Sequence, residues 1–299
     1  MKGLIVTADD FGAAPEVNEA VETAHRHGIL SAASLMVAAP AAADAIARAR
    51  RLPSLRVGLH LVLVEGWPVL PAAKLPQLVQ PSGMLRSDMA ALGLALACNG
   101  AARRQLAAEI EAQFAAFHAT GLPLDHCNAH KHFQLHPLVG KLIATIGVRF
   151  GLRAVRVPLE PAAVLRSIEP RTRALPAALT DPFALSLRRR LRRAHLLTPD
   201  RMFGLRWSGQ MSAQRLGALI RRLPLGLNEV YLHPATGAFA GCTPGYRYRE
   251  ELAALTDPAV VATCRDAAVR LGGFSDFLSR EAPAAAGARD SVPSGSVLR

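Results

Sequence analysis

Aromatic residues are scarce in this chain: Phe, Trp and Tyr make up 5% of 299 residues. So small a supply argues against a stacking platform for single-stranded nucleic acid. Cysteine is scarce too, and Cys98, Cys127, Cys242 and Cys264 form no CxxC pair. That spacing points to reduced thiols in a cytoplasmic protein rather than to a disulfide framework. Long apolar runs are missing. The stretch from Gly28 to Ala43 is interrupted by Pro40, and that from Met89 to Ala102 by Gly93 and Gly100, so neither suits a membrane span. The residues after Met1 read as a strand rather than a secretory signal. Acidic charge is in deficit, with 23 Asp and Glu against 35 Lys and Arg, a net charge of +12.

The basic residues are mostly arginines, densest in "SLRRRLRRAHLL", Ser186 to Leu197. A surface of that kind can face nucleic acid, anionic lipid or a phosphorylated substrate, and equally can be a solvated helix face. Half of the residues are apolar, enough for a globular protein with a substantial core.

Short apolar runs alternate with amphipathic stretches. "GLIVTA", "SAASLMV", "LRVGLHLVL", "RAVRV" and "NEVYLHP" read as strands, and "LDHCNAH" as a strand end. Helices are expected over Pro15 to His27, Ala41 to Arg51, Ala101 to Thr120 and Pro137 to Phe150, with another opening at Asp257-Pro258. This alternation predicts an α/β fold with a parallel sheet and helices outside, a barrel or a doubly wound sheet. The segments Gly66 to Gly100 and Pro158 to Gly209 are looser and Pro- or Arg-rich, as expected of insertions that follow strands and shape a cleft. The Ala/Ser/Pro/Gly-rich end, residues 281–299, is expected to be a disordered tail beyond a single domain over residues 1–280.

Polar residues collect at strand ends. Asp9 and Asp10 close the first apolar run, and His60 lies in the third. His126, His130, His132 and His136 crowd into "LDHCNAHKHFQLHP", and His233 ends "EVYLHP". In parallel α/β folds such ends face a common site. Carboxylate and imidazole suit a divalent metal, with one position left for water or substrate. Because strand side chains alternate, Asp9 and Asp10 are expected to point apart, one toward the metal and one toward a water upon it. An Asp-Asp pair also serves as a turn or helix cap, and a single His in an apolar run as a core residue.

The ordered set "TADDFG", "VNEA", "SLMV", "GLHL", the histidine cluster ending at Pro137, and "YLHP" resembles the YdjC-like carbohydrate deacetylases over about residues 2 to 278. Within that family it is most similar to the hopanoid-biosynthesis-associated branch. The resemblance implies a distorted, TIM-like (β/α) barrel and one divalent cation, zinc or magnesium, held by Asp10, His60 and His130. It implies removal of the acetyl group from an N-acetylated sugar, here an N-acetylglucosamine-bearing hopanoid glycolipid. Asn128 stands where the family usually has Asp, and Gln134 where it often has His.

On this reading Asp9 is the general base and His233 the acid that protonates the departing nitrogen. His132 is its rival, because it follows His130 by two residues and would share its side of an extended segment. Asn128, His132 and Asn18 are expected to support the ligands or meet the substrate. If Phe183 to Leu197 is helical, Phe183, Leu187, Leu191, Ala194 and Leu197 lie near one face and five arginines on the rest. That pattern fits peripheral contact with an anionic membrane, or an outer barrel helix packed inward. The competing expectations are a deacetylase of soluble N-acetylglucosamine oligosaccharides, a basic nucleic-acid-binding protein and a metallophosphatase. No nucleic-acid-binding motif favours the second, and carboxylates are too few for the two-metal form of the third.

Overall fold

The computed structural model describes residues 1–170 and 177–278, so the tail expected at 281–299 lies outside the described residues. The chain alternates strand and helix from the start: β1 (Lys2–Phe11), α1 (Pro15–His27), β2 (Ala32–Leu35), α2 (Ala42–Arg50), β3 (Arg56–Leu61). The first loose segment holds α3 (Met89–Cys98), which leads into α4 (Gly100–Ala119), β4 (Cys127–Ala129) and α5 (Pro137–Gly147). The second holds α6 (Ala162–Ile168), α7 (Ala177–Arg193) and β5 (Arg201–Phe203). The chain then runs through α8 (Ala213–Arg221), β6 (Gly226–Leu232), α9 (Tyr248–Thr256), α10 (Pro258–Asp266) and β7 (Val269–Leu271).

Local chemistry sets several boundaries. Proline opens α1, α5 and α10, where its missing N–H would be unpaired in any case. Asp257 caps α10 by accepting from the N–H groups of Ala259 and Val260 at 2.9 and 3.0 Å.

The strands lie in the order β4-β3-β2-β1-β6-β5, all parallel, with β7 also on β1. "RAVRV" forms no regular strand, which corrects the expectation. It is nonetheless the piece that joins the two ends of the sheet. On one side Cys127 N–H donates to Ala154 O and Arg156 N–H to Cys127 O; on the other, Val155 N–H donates to Leu197 O and Leu197 N–H to Arg153 O. Farther along, Met202 N–H donates to Leu159 O, at the strand beside β6. The result is a distorted (β/α) barrel.

Alternate strand residues face opposite sides. Leu4, Val6 and Ala8 of β1 are buried in the main apolar core. Their neighbours line the interior, where Ile5, Ala32, Ala154 and Phe274 make a separate apolar floor. Above this floor the interior turns polar. Burying a strand on both faces normally selects apolar residues throughout, so the polar exceptions mark the site.

Helix α7 forms as expected from its spacing. Ala184, Leu187 and Leu191 are buried, while Phe183 is 50% exposed and Arg189, Arg190, Arg192 and Arg193 face solvent. The apolar stripe is therefore spent on packing, with Leu187 against Gly140 of α5. Of the expected apolar face, Phe183 lies outside the stripe, and Ala194 and Leu197 lie beyond the helix, which ends at Arg193. Among the described residues no helix is long and apolar enough to cross a membrane.

Candidate metal centre

The interior polar residues recur at period two along each strand: Thr7 and Asp9, Ser34, His60, His126 and Asn128, Glu229 and Tyr231, with His233 following β6. Arg156 of "RAVRV" falls in the same phase. At the open end Asp10, His60 and His130 converge. Asp10 Oδ1 lies 3.2 Å from His60 Nε2 and 3.2 Å from His130 Nδ1, and the two nitrogens are 3.4 Å apart. Asp10 Oδ1 is nevertheless buried without a hydrogen-bond partner. Three donors facing one point, one of them an orphaned carboxylate oxygen, is the arrangement a divalent cation satisfies. The residues fit the metal.

Backbone geometry makes this convergence possible. Asp10 adopts a left-handed conformation, φ 61°, at an irregularity in the β1–β2 ladder between Ala8 and Phe11. The simple alternation expected for Asp9 and Asp10 is thus broken at Asp10. Asp9 stays in phase with the barrel interior, and Asp10 turns to the two histidines.

Asp9 is anchored at both oxygens. Oδ1 accepts from Asn128 Nδ2 at 3.0 Å, and Oδ2 accepts from Arg156. Arg156 is fully buried and also donates to Glu229 Oε1 through Nε and Nη2, at 2.9 and 2.7 Å. Thr7 Oγ1 donates to the same oxygen at 2.9 Å. Burial by itself would raise the Asp9 carboxyl, but the Arg156 guanidinium outweighs it and holds the group well below the usual range. Burial likewise opposes ionisation of Asp10, and the His130 and His60 rings beside it prevail, again lowering it. His60 shows the converse: burial disfavours the imidazolium, yet Asp9 and Asp10 leave its pKa raised. Asn128 Oδ1 accepts from His60 Nδ1 at 2.7 Å, which leaves Nε2 as the ring nitrogen offered to the metal.

The other expected residues take different places. His233 is buried near this group, its Nδ1 unpartnered, its ring 5.3 Å from Tyr231 and 5.0 Å from Tyr246. Burial lowers its pKa, so the ring rests neutral. His132 does not share an extended segment with His130. Residues His130–Leu135 form a 3-10 turn in which Lys131 and His132 are left-handed, both at φ 54°. His132 Nε2 consequently meets the Tyr231 hydroxyl at 3.1 Å, and burial pushes the ring down to about 3. Asn18 is away from the metal donors. Its Oδ1 accepts from Gly12 N–H at 2.8 Å and its Nδ2 donates to Ala41 O and Asp44 Oδ2 at 3.0 and 2.8 Å, pinning the turn that follows Asp10.

Arg156, Glu229 and Tyr231 are the site residues that the sequence reading missed. A signal was available for Glu229 and Tyr231, polar interruptions of a buried strand in phase with His233, and for Arg156, a charge inside the apolar run "RAVRV".

Beside Asp10 and His130 opens a cleft of about 240 Å³. Much of its lining is apolar, including Met36, Pro40, Val62, Trp67, Met84 and Phe239. The loop carrying Trp67 is tied down by Glu109 of α4, which accepts from the N–H groups of Val69 and Leu70 at 2.8 and 3.0 Å.

Residues 3–266 match the family model described as YdjC-like protein. A carbohydrate deacetylase of Geobacillus stearothermophilus is 31% identical over 278 residues, covering 91% of this chain and 97% of the relative. A carbohydrate deacetylase of Mus musculus is 32% identical over 307 residues, covering 93% and 95%. A chitooligosaccharide deacetylase of Serratia marcescens is 33% identical over 158 residues, 50% of this chain and 58% of that one. The crystal structure of an Enterococcus faecalis protein described as a candidate cellobiose-phosphate cleavage protein superposes with a TM-score of 0.74. It covers 93% of this chain and 99% of that one, and at 21% identity it speaks to the fold alone.

Proposed function

The chain belongs to the YdjC-like family, and we propose that it is a metal-dependent hydrolase that removes the acetyl group from an N-acetylated sugar. One observation carries this reading: Asp10, His60 and His130 present three donors to a single point while Asp9 is held beside them. The donor set, two imidazoles and one carboxylate, favours zinc over magnesium, which prefers all-oxygen ligands.

A divalent cation at these residues supplies Lewis acidity toward the acetyl carbonyl and acidifies water to a pKa of about 7 for zinc. Asp9 takes the proton from the attacking water. Its two anchors leave lone pairs free, since an ionised carboxylate offers about four acceptor sites. Asn128 and Arg156 prevent it from swinging away. His233, on the next strand end, passes a proton to the leaving sugar nitrogen. Being neutral at rest, it must first gain that proton within the cycle. His132 suits the role less, because its Nε2 is engaged by the Tyr231 hydroxyl at 3.1 Å.

The apolar cleft supports a substrate with an apolar portion beside its sugar, as in an N-acetylglucosamine-bearing hopanoid glycolipid, over a soluble oligosaccharide. The exposed arginines of α7 would reach an anionic membrane by charge, since the apolar stripe is packed inward. Mass spectrometry of the reaction tests the substrate: loss of one acetyl group from the glycolipid, against a chito-oligosaccharide run in parallel. Flotation with anionic liposomes at low salt tests the membrane contact, and absence of binding removes it. Asp9→Asn is expected to retain metal and lose turnover, and Asp10→Asn to lose both. Retained activity in the two variants refutes the mechanism.

A further inference from the structure

His60 stands on a column of hydrogen bonds that runs down the barrel interior through Asn128, Ser34, His126 and Asp125. Asp9 accepts from Arg156, so the Asn128 group facing Asp9 must be its NH2. The second hydrogen of that NH2 goes to Ser34 Oγ at 3.0 Å. The Ser34 hydroxyl, having accepted from Asn128, has its own proton for His126 Nε2 at 3.0 Å. His126 Nδ1–H in turn donates to Asp125 Oδ2 at 2.9 Å. Asp125 is an acceptor throughout, since it also takes the N–H groups of Phe274 and Ser275 at 3.1 and 2.8 Å. From Asn128 down to Asp125 the direction of donation is the same at each step.

The far end of the column is held rigidly. The His126 ring stacks on Phe274 with centroids 4.3 Å apart. Position 58 is glycine because a Cβ there would lie 2.5 Å from the His126 ring and carbonyl oxygen. His126 therefore occupies the space that a side chain at 58 would fill.

We propose that Ser34 and His126 are positioning residues of the metal centre, holding the Asn128 amide together with Asp9 and through it the ring nitrogen that His60 offers. The amide oriented as found presents Oδ1 to His60 Nδ1–H. A flipped amide would present N–H to that nitrogen, move the His60 proton to Nε2 and remove a ligand lone pair. Neither residue touches the metal donors directly. This inference rests on the metal reading above.

The test uses the full chain in four forms: native, Ser34→Ala, Ser34→Thr and His126→Phe, the last keeping the stack on Phe274. Zinc affinity is measured by competition with a chromophoric chelator. The His60 tautomer is read in metal-free protein from imidazole ¹H–¹⁵N spectra, at a pH high enough that the ring is neutral. The native protein is expected to show His60 protonated on Nδ1. Ser34→Ala and His126→Phe are expected to populate the Nε2–H tautomer and weaken zinc by about tenfold, in the range usual for partners of ligating residues. Ser34→Thr keeps the hydroxyl and is expected to restore both readings. An unchanged tautomer and affinity in Ser34→Ala overturns the proposal, as does a native His60 protonated on Nε2. A native protein that binds no zinc refutes the metal reading instead, so the two failures are distinguishable.

Discussion

Replacing Arg156 with methionine tests the electrostatic logic of the barrel interior. The guanidinium is fully buried and joins Asp9 to Glu229. Methionine fills similar space but leaves two carboxylates without their cation. Asp9 keeps only Asn128, and Glu229 only Thr7. Removing one partner from a buried ion pair costs about 3–5 kcal/mol, a large part of the roughly 5–15 kcal/mol that stabilises a typical domain. The pH dependence has a definite sign. In the native protein the Asp9 pKa is depressed. Its contribution is thus present above the unfolded value of about 3.9 and is lost only as pH falls through the lower folded value. With the guanidinium gone, burial is expected to outweigh the remaining pull of His60 and His233 and to raise Asp9 above its unfolded value. The folded state then binds a proton that the unfolded state lacks, so the variant gains stability as pH falls. Urea unfolding with a metal chelator at about pH 7.5 and pH 5 should show a deficit of about 3–5 kcal/mol that narrows at the lower pH. A deficit below about 1 kcal/mol, or one that does not change with pH, refutes the reasoning. Should Arg156→Met not fold, Arg156→Lys retains the charge without the fork and should show a smaller deficit.

Gly58→Ala places a methyl 2.5 Å from the His126 ring and backbone; a loss of about 1–3 kcal/mol or more in urea unfolding is expected, with weaker zinc binding as His126 shifts. Burial raises Glu251, which accepts from the N–H groups of Met211 and His233, to about 7. A raised acid loses stability as pH climbs from its unfolded to its folded value, here from about 4.5 to about 7. Glu251→Gln should flatten that decline by an amount on the order of 3 kcal/mol, read from unfolding midpoints across the window. Trp67→Ala opens the rim of the apolar cleft, and should raise KM for a glycolipid substrate severalfold while leaving that for a chito-oligosaccharide nearly unchanged.

Much of this molecule is legible without coordinates. Helix α1 occupies Pro15–His27, the span expected from its proline start and apolar spacing. The Asp257 cap and Pro258 opened α10 where they should. These features depend on neighbours a few residues apart, so the local sequence contains the whole cause. The same holds for the strand alternation, which implied a parallel sheet with helices outside.

The resemblance to a known family, rather than spacing, singled out Asp10, His60 and His130 from the ten histidines and many carboxylates. Their meeting at 3.2–3.4 Å is tertiary. It requires the left-handed turn at Asp10 and the alignment of His60 with Asn128 on the next strand. The His132 expectation failed for a related reason. The two-residue spacing would align His132 with His130 only in an extended segment, and past the end of β4 two left-handed residues redirect the side chains.

By itself the sequence determined which strand positions are buried, where helices begin, and that polar groups interrupt the buried strands in one phase. Only the closed barrel decided which of those groups meet. Glu229 and Asp9 lie 73 and 147 residues from Arg156 along the chain. Their pairing follows from strand register and ring closure, and both are properties of the whole sheet that no local stretch encodes.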